Sequence, residues 1–220
     1  MKLLSKTQIA FKMREKLIEQ ALLCELKLNT LLDQNQRHGL IWLQTYSGKA
    51  FYPFETSYFG NETINIEDIA HSLSLQCRFN GHCKEFYSIA QHSILVANLG
   101  QTLSEKQFGL LHDATETYIS DVPSPLKECK EFVDYVNLES MLRNRICGKF
   151  GLFHVEMILS QILIYDKVIL ATEKRDLMNK SDLEWNELPK PIKTKIVPMS
   201  SKRAEKEFLK KFRELFPNAS

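Results

Sequence analysis

Cysteine is sparse in this 220-residue chain, and what there is forms no pattern. Cys24, Cys77, Cys83, Cys129 and Cys147 are odd in number and lack Cys-x-x-Cys spacing. That argues against a disulfide framework and a zinc ribbon, and for a reducing, cytoplasmic compartment. No apolar run approaches the length of a membrane span. Near the start, Lys12, Arg14, Glu15, Lys16 and Glu19 interrupt anything resembling a signal sequence. Charge of one sign is missing too: 29 Lys and Arg stand against 27 Asp and Glu, a net charge of +2. No overall field therefore points to a nucleic-acid binder, and any phosphate must be met by local basic groups. There is no Gly-rich phosphate loop, no internal repeat and no low-complexity tract.

Histidine is scarce as well, yet three of the six fall between Arg78 and Lys127, and one of them is followed directly by aspartate. The stretch Phe108 to Tyr118 reads as a helix, on which positions three and four apart share a face. Glu116 then lies one turn from both His112 and Asp113, which gathers an imidazole and two carboxylates on one patch. A second helix, Ile89 to Leu99, carries His92 among Ile89, Leu95, Val96 and Leu99. A third, Gln161 to Met178, carries Asp166. Mixed imidazole and carboxylate donors suit manganese, iron, cobalt, zinc or magnesium, ions that activate water near neutral pH. The plain alternative stands beside this: one histidine on an apolar helix is commonly a hydrogen-bonded core residue, and one His-Asp pair arises by chance. It is their combination that points to a metal.

These segments resemble the HD-domain metal-dependent phosphohydrolases, nearest to the branch with the deoxynucleoside 5'-monophosphatases and their phage-type relatives. The resemblance rests on Cys77 to His82 (Cys-Arg-Phe-Asn-Gly-His), Phe86 to Ser93, His112 to Lys127 and Tyr165 to Glu173, and covers about residue 41 to the C-terminus. It implies His92, His112, Asp113 and Asp166 as metal ligands. It also implies Glu116 as the carboxylate that orients or deprotonates the attacking water, and Asp121 as the one that protonates the leaving oxygen. Arg78 matches the phosphate-holding arginine, whose planar fork suits phosphate oxygens, with His82 and Lys127 as further phosphate candidates. For His82 a structural loop role stands equally open. The monophosphatases place tryptophan after that arginine, whereas this chain has Phe79. The expected activity is hydrolysis of deoxynucleoside 5'-monophosphates to nucleoside and phosphate. The alternatives are a triphosphohydrolase acting on deoxynucleoside triphosphates and a nucleotide-sensing module without turnover. The implied partners are a small nucleotide and a divalent ion, with no nucleic acid, no membrane, and a homodimer among the assemblies such relatives adopt.

The expected fold is mainly helical: an HD-type bundle with a small β-hairpin and an N-terminal helical extension. Met13, Leu17, Ala21, Cys24, Leu28 and Leu31 recur at helical spacing, which sets residues 1–38 apart as an amphipathic extension before a catalytic domain over 39–220. Ile41 to Pro53 reads as two short strands about a Ser-Gly turn. Its aromatics read as packing, since no basic residues are interleaved as a nucleic-acid surface requires. Asn65 or Thr63 caps a helix through Leu75 that carries His71, left outside the ligand set. After Asp121 the Val-Pro-Ser-Pro segment must leave the helix. Phe132 to Phe150 is helical again and ends near Gly151. Trp185 to Pro198 is loop, with a short strand expected from Ile192 and Ile196-Val197, and Ser200 or Ser201 caps a last amphipathic helix.

Overall fold

The computed structural model describes residues 41–55 and 63–218, together with Gln20. The chain divides into Met1–Trp42 and Leu43–Ser220. The expected N-terminal amphipathic helix lies outside the described residues, and the elements below belong to the second unit. They are mainly helical with one small antiparallel hairpin, as expected.

Strands β1 (Leu43–Gln44) and β2 (Ala50–Phe51) pair with Leu43 opposite Phe51. Their turn closes through Gly48, whose φ of +80° suits a residue without Cβ. The hairpin is fastened to helix α1 (Ile66–Leu75) by the buried Asp68, which accepts from the Ser47 amide at 2.6 Å and the Ser47 hydroxyl at 2.9 Å. Asn65 is the cap of α1, accepting from the Asp68 amide at 2.7 Å. Phe51, fully buried, stacks on Tyr118 with centroids 3.7 Å apart.

Helix α2 (Ile89–Leu99) is the centre of the bundle, because its composition leaves little for solvent: Ile89, Ala90, Ile94, Val96 and Ala97 are all buried. Around it pack α1, α3 (Leu103–Leu111), α7 (Glu156–Leu177) and α8 (Ser201–Leu215). A Cβ on Gly109 would stand 3.1 Å from the Ala97 Cα, so α3 and α2 meet backbone against backbone there. Thr102 and Glu105 form a capping box that starts α3. Helices α4 (Glu116–Ile119), α5 (Ser124–Lys127) and α6 (Val133–Lys149) complete the α-helices among the described residues, and Gly151 turns the chain after α6 at φ +70°. Ser200 caps α8 through the Arg203 amide, and Phe208 and Phe212 of that helix are buried.

Two expectations need correction. The helix expected from Phe108 to Tyr118 is broken: α3 stops at Leu111, and residues 112–115 form a tight turn before α4. Its amides reach back three residues, Ala114 to the Leu111 carbonyl and Glu116 to that of Asp113, each at 3.0 Å. The turn is therefore wound tighter than an α-helix. The strand expected at Ile196-Val197 is also absent, since side chains take the hydrogen bonds a strand partner would. Asp176 accepts from the Ile196 amide at 2.8 Å, and Gln91 bonds the Val197 carbonyl and the Met199 amide. Arg175 donates to the Ile192 and Thr194 carbonyls.

The Arg175 guanidinium, in the first place, and the Ile196 amide hold the Asp176 carboxyl below the usual range, although burial opposes them. A depressed carboxylate stabilises the fold above its unfolded pKa of about 3.9 and loses that contribution as pH falls through the lower folded value. Asp176→Ala is expected to destabilise by about 1–3 kcal/mol at neutral pH, the scale of a lost charged hydrogen bond, and the deficit to shrink below pH 4. Urea unfolding at pH 7 and pH 3 checks both; an equal deficit at the two pH values contradicts the assignment.

Candidate metal centre

Three helical elements converge on one point. Central α2 contributes His92, fully buried; the tight turn after α3 contributes His112 and Asp113; α7 contributes Asp166, with its side chain 30 % exposed. The two imidazole Nε2 atoms are 3.3 Å apart, and Asp166 Oδ1 lies 3.1 Å from that of His92. Suitable donor atoms of His92, His112 and Asp166 all fall within 4.8 Å of one another, so these three residues could hold a metal ion. Asp113 stands against the same group, Oδ2 3.5 Å from His92 Nε2 and Oδ1 3.3 Å from His112 Nε2. The break in the helix makes this possible. It turns His112 so that Nδ1 donates to the Gly109 carbonyl at 2.8 Å, which assigns the Nε2 lone pair to the cluster.

Arg78 enters from an unusual turn. Phe79, Asn80 and Gly81 have φ of 56°, 50° and 79°, a left-handed run that costs L-residues about 1–2 kcal/mol each outside glycine. Strain of this kind is retained where surrounding structure demands it. Here it sets the guanidinium between two anions, Nη1 3.4 Å from Asp113 Oδ2 and Nε 3.4 Å from Oε1 of the fully buried Glu173. Burial works against the charge, but Glu173, Asp113 and Asp166 outweigh it and hold Arg78 protonated. Burial and Arg78 likewise push His92 down, yet Glu173 and Asp166 carry its pKa up to about 9. It is a place that attracts positive charge.

Glu116 opens α4, buried, with no hydrogen-bond partner for its Oε2 among the described residues. Burial, then Asp113 and Asp121, push its carboxyl well above the usual range against the pull of Arg78 and Lys127. Asp121 is pushed up chiefly by burial, with Asp113 adding to it and Arg78 opposing. Between them Ser120 sits at φ 64°, ψ 161°, a conformation few side chains adopt, and its carbonyl accepts from Tyr135 at 2.6 Å. Two candidates stand apart. Lys127 is bonded to Glu139 at 2.6 Å and lies over the Tyr135 ring, though its charge still acts on Glu116. His82 is exposed at the end of the left-handed turn. His71 pairs with Glu205 and stacks on Tyr46.

The residues fit a divalent ion on two counts. The donors are imidazole nitrogens and carboxylate oxygens in the mixture such ions take. The charge balance is also right: Asp113 and Asp121 act on Glu116, and Glu173, Asp113 and Asp166 act on Arg78, with Arg78 and the already paired Lys127 as the cations that face them. Manganese or zinc is accordingly expected to stabilise the fold by about 2.7 kcal/mol at a hundred times Kd, and to raise the melting temperature steadily with log concentration above Kd. Calorimetric scans across a metal titration check this, and an unmoved transition contradicts it.

Sequence reading missed Glu173 and Tyr87 as parts of this centre. The signal was present for Glu173: it lies seven residues after Asp166, two turns along the same face of α7.

Among the described residues no helix is long and apolar enough to cross a membrane, and Cys77, Cys83, Cys129 and Cys147 are free thiols. No family model matches the chain. It is 38 % identical over 97 residues to an uncharacterized protein of Rhodobacter capsulatus, covering 40 % of this chain and 49 % of that protein. It is 36 % identical over 178 residues to the uncharacterized protein YfdR of Escherichia coli K12, covering 79 % of this chain and 95 % of that one. An identity of that extent, covering most of this chain and nearly the full length of the relative, places this chain in the same family as YfdR.

Proposed function

We propose that the protein is an HD-type, metal-dependent phosphohydrolase that acts on deoxynucleoside 5'-monophosphates and releases nucleoside and phosphate. The observation that carries this reading is the convergence of His92, His112, Asp113 and Asp166 on one point with Arg78 beside it. These four would hold the divalent ion, which supplies a Lewis acid for phosphoryl oxygens and for water.

The rest is work for the chain's own side chains. Arg78, kept charged and held between Glu173 and Asp113, presents a guanidinium to the oxygens of a phosphoryl group as negative charge develops there. Glu116 has its raised proton affinity beside the ligand Asp113, which equips it to take a proton from the attacking water. Asp121, one strained residue beyond α4, is equipped to hold a proton for the leaving oxygen. Carboxyl groups whose proton affinities are raised by their surroundings exchange protons closer to neutrality than ordinary carboxylates do. Four free thiols suit a reducing cytoplasm.

The test is a product-resolved screen of deoxy- and ribonucleoside mono-, di- and triphosphates with manganese, cobalt and magnesium. His112→Ala serves as the blank. Inorganic phosphate from deoxynucleoside monophosphates supports the reading. Triphosphate release replaces it with a triphosphohydrolase, and binding without any product reduces it to a sensing module.

A further inference from the structure

We propose that Glu173 is a positioning residue for His92: its carboxylate selects which imidazole nitrogen faces the metal and ties that ligand to Arg78. The proposal rests on the reading of His92 as a ligand and assigns a role to a residue outside the set that would touch metal or substrate. Helix α7 presents two carboxylates to the two nitrogens of one imidazole. Asp166 Oδ1 is 3.1 Å from Nε2, on the side of His112 and Asp113, while Glu173 Oε1 is 2.7 Å from Nδ1, on the other. Asp166 is 30 % exposed and Glu173 not at all.

A fully buried carboxylate is expensive, and a well-packed apolar residue in its place commonly stabilises a fold. The charge therefore calls for a use. A neutral imidazole exists as two tautomers, and only the one with hydrogen on Nδ1 leaves the Nε2 lone pair free for a cation. A carboxylate at 2.7 Å accepts that hydrogen and makes Nε2 the more basic nitrogen. His112 is set by a carbonyl in the same way, at the Gly109 oxygen. The two ligands thus have their outer nitrogens fixed by different acceptors, and only His92 receives a full negative charge.

The same Oε1 lies 3.4 Å from Arg78 Nε, a charge contact with no aligned hydrogen bond, since that nitrogen has no hydrogen-bond partner among the described residues. Tyr87, fully buried, places its hydroxyl in the field of the same carboxylate. The backbone holds this group together: the Arg78 amide donates to the Tyr87 carbonyl and the Lys84 amide to that of Leu177 at the end of α7, each at 2.9 Å. One oxygen therefore registers the imidazole that would bind metal against the guanidinium that would bind phosphate.

The experiment uses the full chain and zinc alone. Zinc affinity is measured by competition with a chromophoric chelator for the wild type and Glu173→Gln, which keeps a hydrogen-bond acceptor but loses the charge. Long-range nitrogen-15 NMR of the zinc-loaded protein reads the His92 tautomer. The expected result is a protonated Nδ1 and a zinc-bound Nε2 in the wild type, and roughly 10- to 100-fold weaker zinc binding in Glu173→Gln. A variant that melts at a different temperature but binds zinc as the wild type does shows a merely structural ion cluster and overturns the proposal. So does ligation through Nδ1. Should Glu173→Gln fail to fold, the wild-type spectrum still decides. A wild type that binds no zinc overturns both the proposal and the metal site beneath it, whereas a failed nucleotide screen with these zinc results intact sinks the phosphohydrolase reading alone.

Discussion

His112→Ala is expected to yield a folded protein that holds no divalent ion tightly and loses turnover by roughly 100- to 1,000-fold. The size follows from removing one of the three best-clustered donors, and with it the Lewis acid that offsets phosphoryl charge, a contribution comparable to losing a transition-state hydrogen-bond donor at roughly 100- to 1,000-fold. The fold should tolerate it. His112 sits in a turn and is partly exposed, and among the described residues its side-chain hydrogen bond outside the cluster goes to the Gly109 carbonyl, a loss of about 1 kcal/mol. Metal analysis after dialysis, circular dichroism and product formation separate these effects. A variant that keeps its ion and its activity overturns the ligand assignment.

Glu116→Gln is expected to separate binding from chemistry in the opposite way. Glu116 lies outside the cluster of donors that could hold the ion, so metal should be retained. The amide cannot take a proton, so turnover should fall by roughly a hundredfold or more. Stability should move against activity. The Glu116 carboxyl is raised by burial, Asp113 and Asp121, so the folded state binds its proton more tightly than the unfolded chain does. Its contribution then becomes unfavourable as pH rises above the unfolded value. Removing the ionisable group should leave the melting temperature at pH 8 equal or higher, the trade expected of a residue kept for function. Unchanged turnover, or a marked loss of stability at pH 8, contradicts the role.

What the sequence made readable was local. The hairpin about Gly48, the Asn65 and Ser200 caps, and the helices carrying His92 and Asp166 follow from turn chemistry and periodicity, and the structure has them. The grouping of His92, His112 and Asp166 was also in reach, because few residues of these types stand on helices that must pack. The rest depended on contacts between distant positions. Nothing in local propensity reports that Gly109 lets α3 touch α2 at Ala97, or that a tightened turn at 112–115 aims the His-Asp pair. Lys127 reads as a free cation until Glu139, twelve residues on, takes its ammonium. Ile192 and Ile196-Val197 read as a short strand within a loop until Gln91, Arg175 and Asp176 claim the backbone there. Glu173 looks like one more helical acid until burial shows it between His92 and Arg78.

The central claim is that one divalent ion sits where these side chains meet. The most direct test is anomalous diffraction from crystals grown with manganese, collected on both sides of the manganese edge. The expected result is a single strong peak between the Nε2 atoms of His92 and His112, within coordination distance of Asp166 and Asp113. A peak elsewhere on the chain, or none at saturating manganese, contradicts the account.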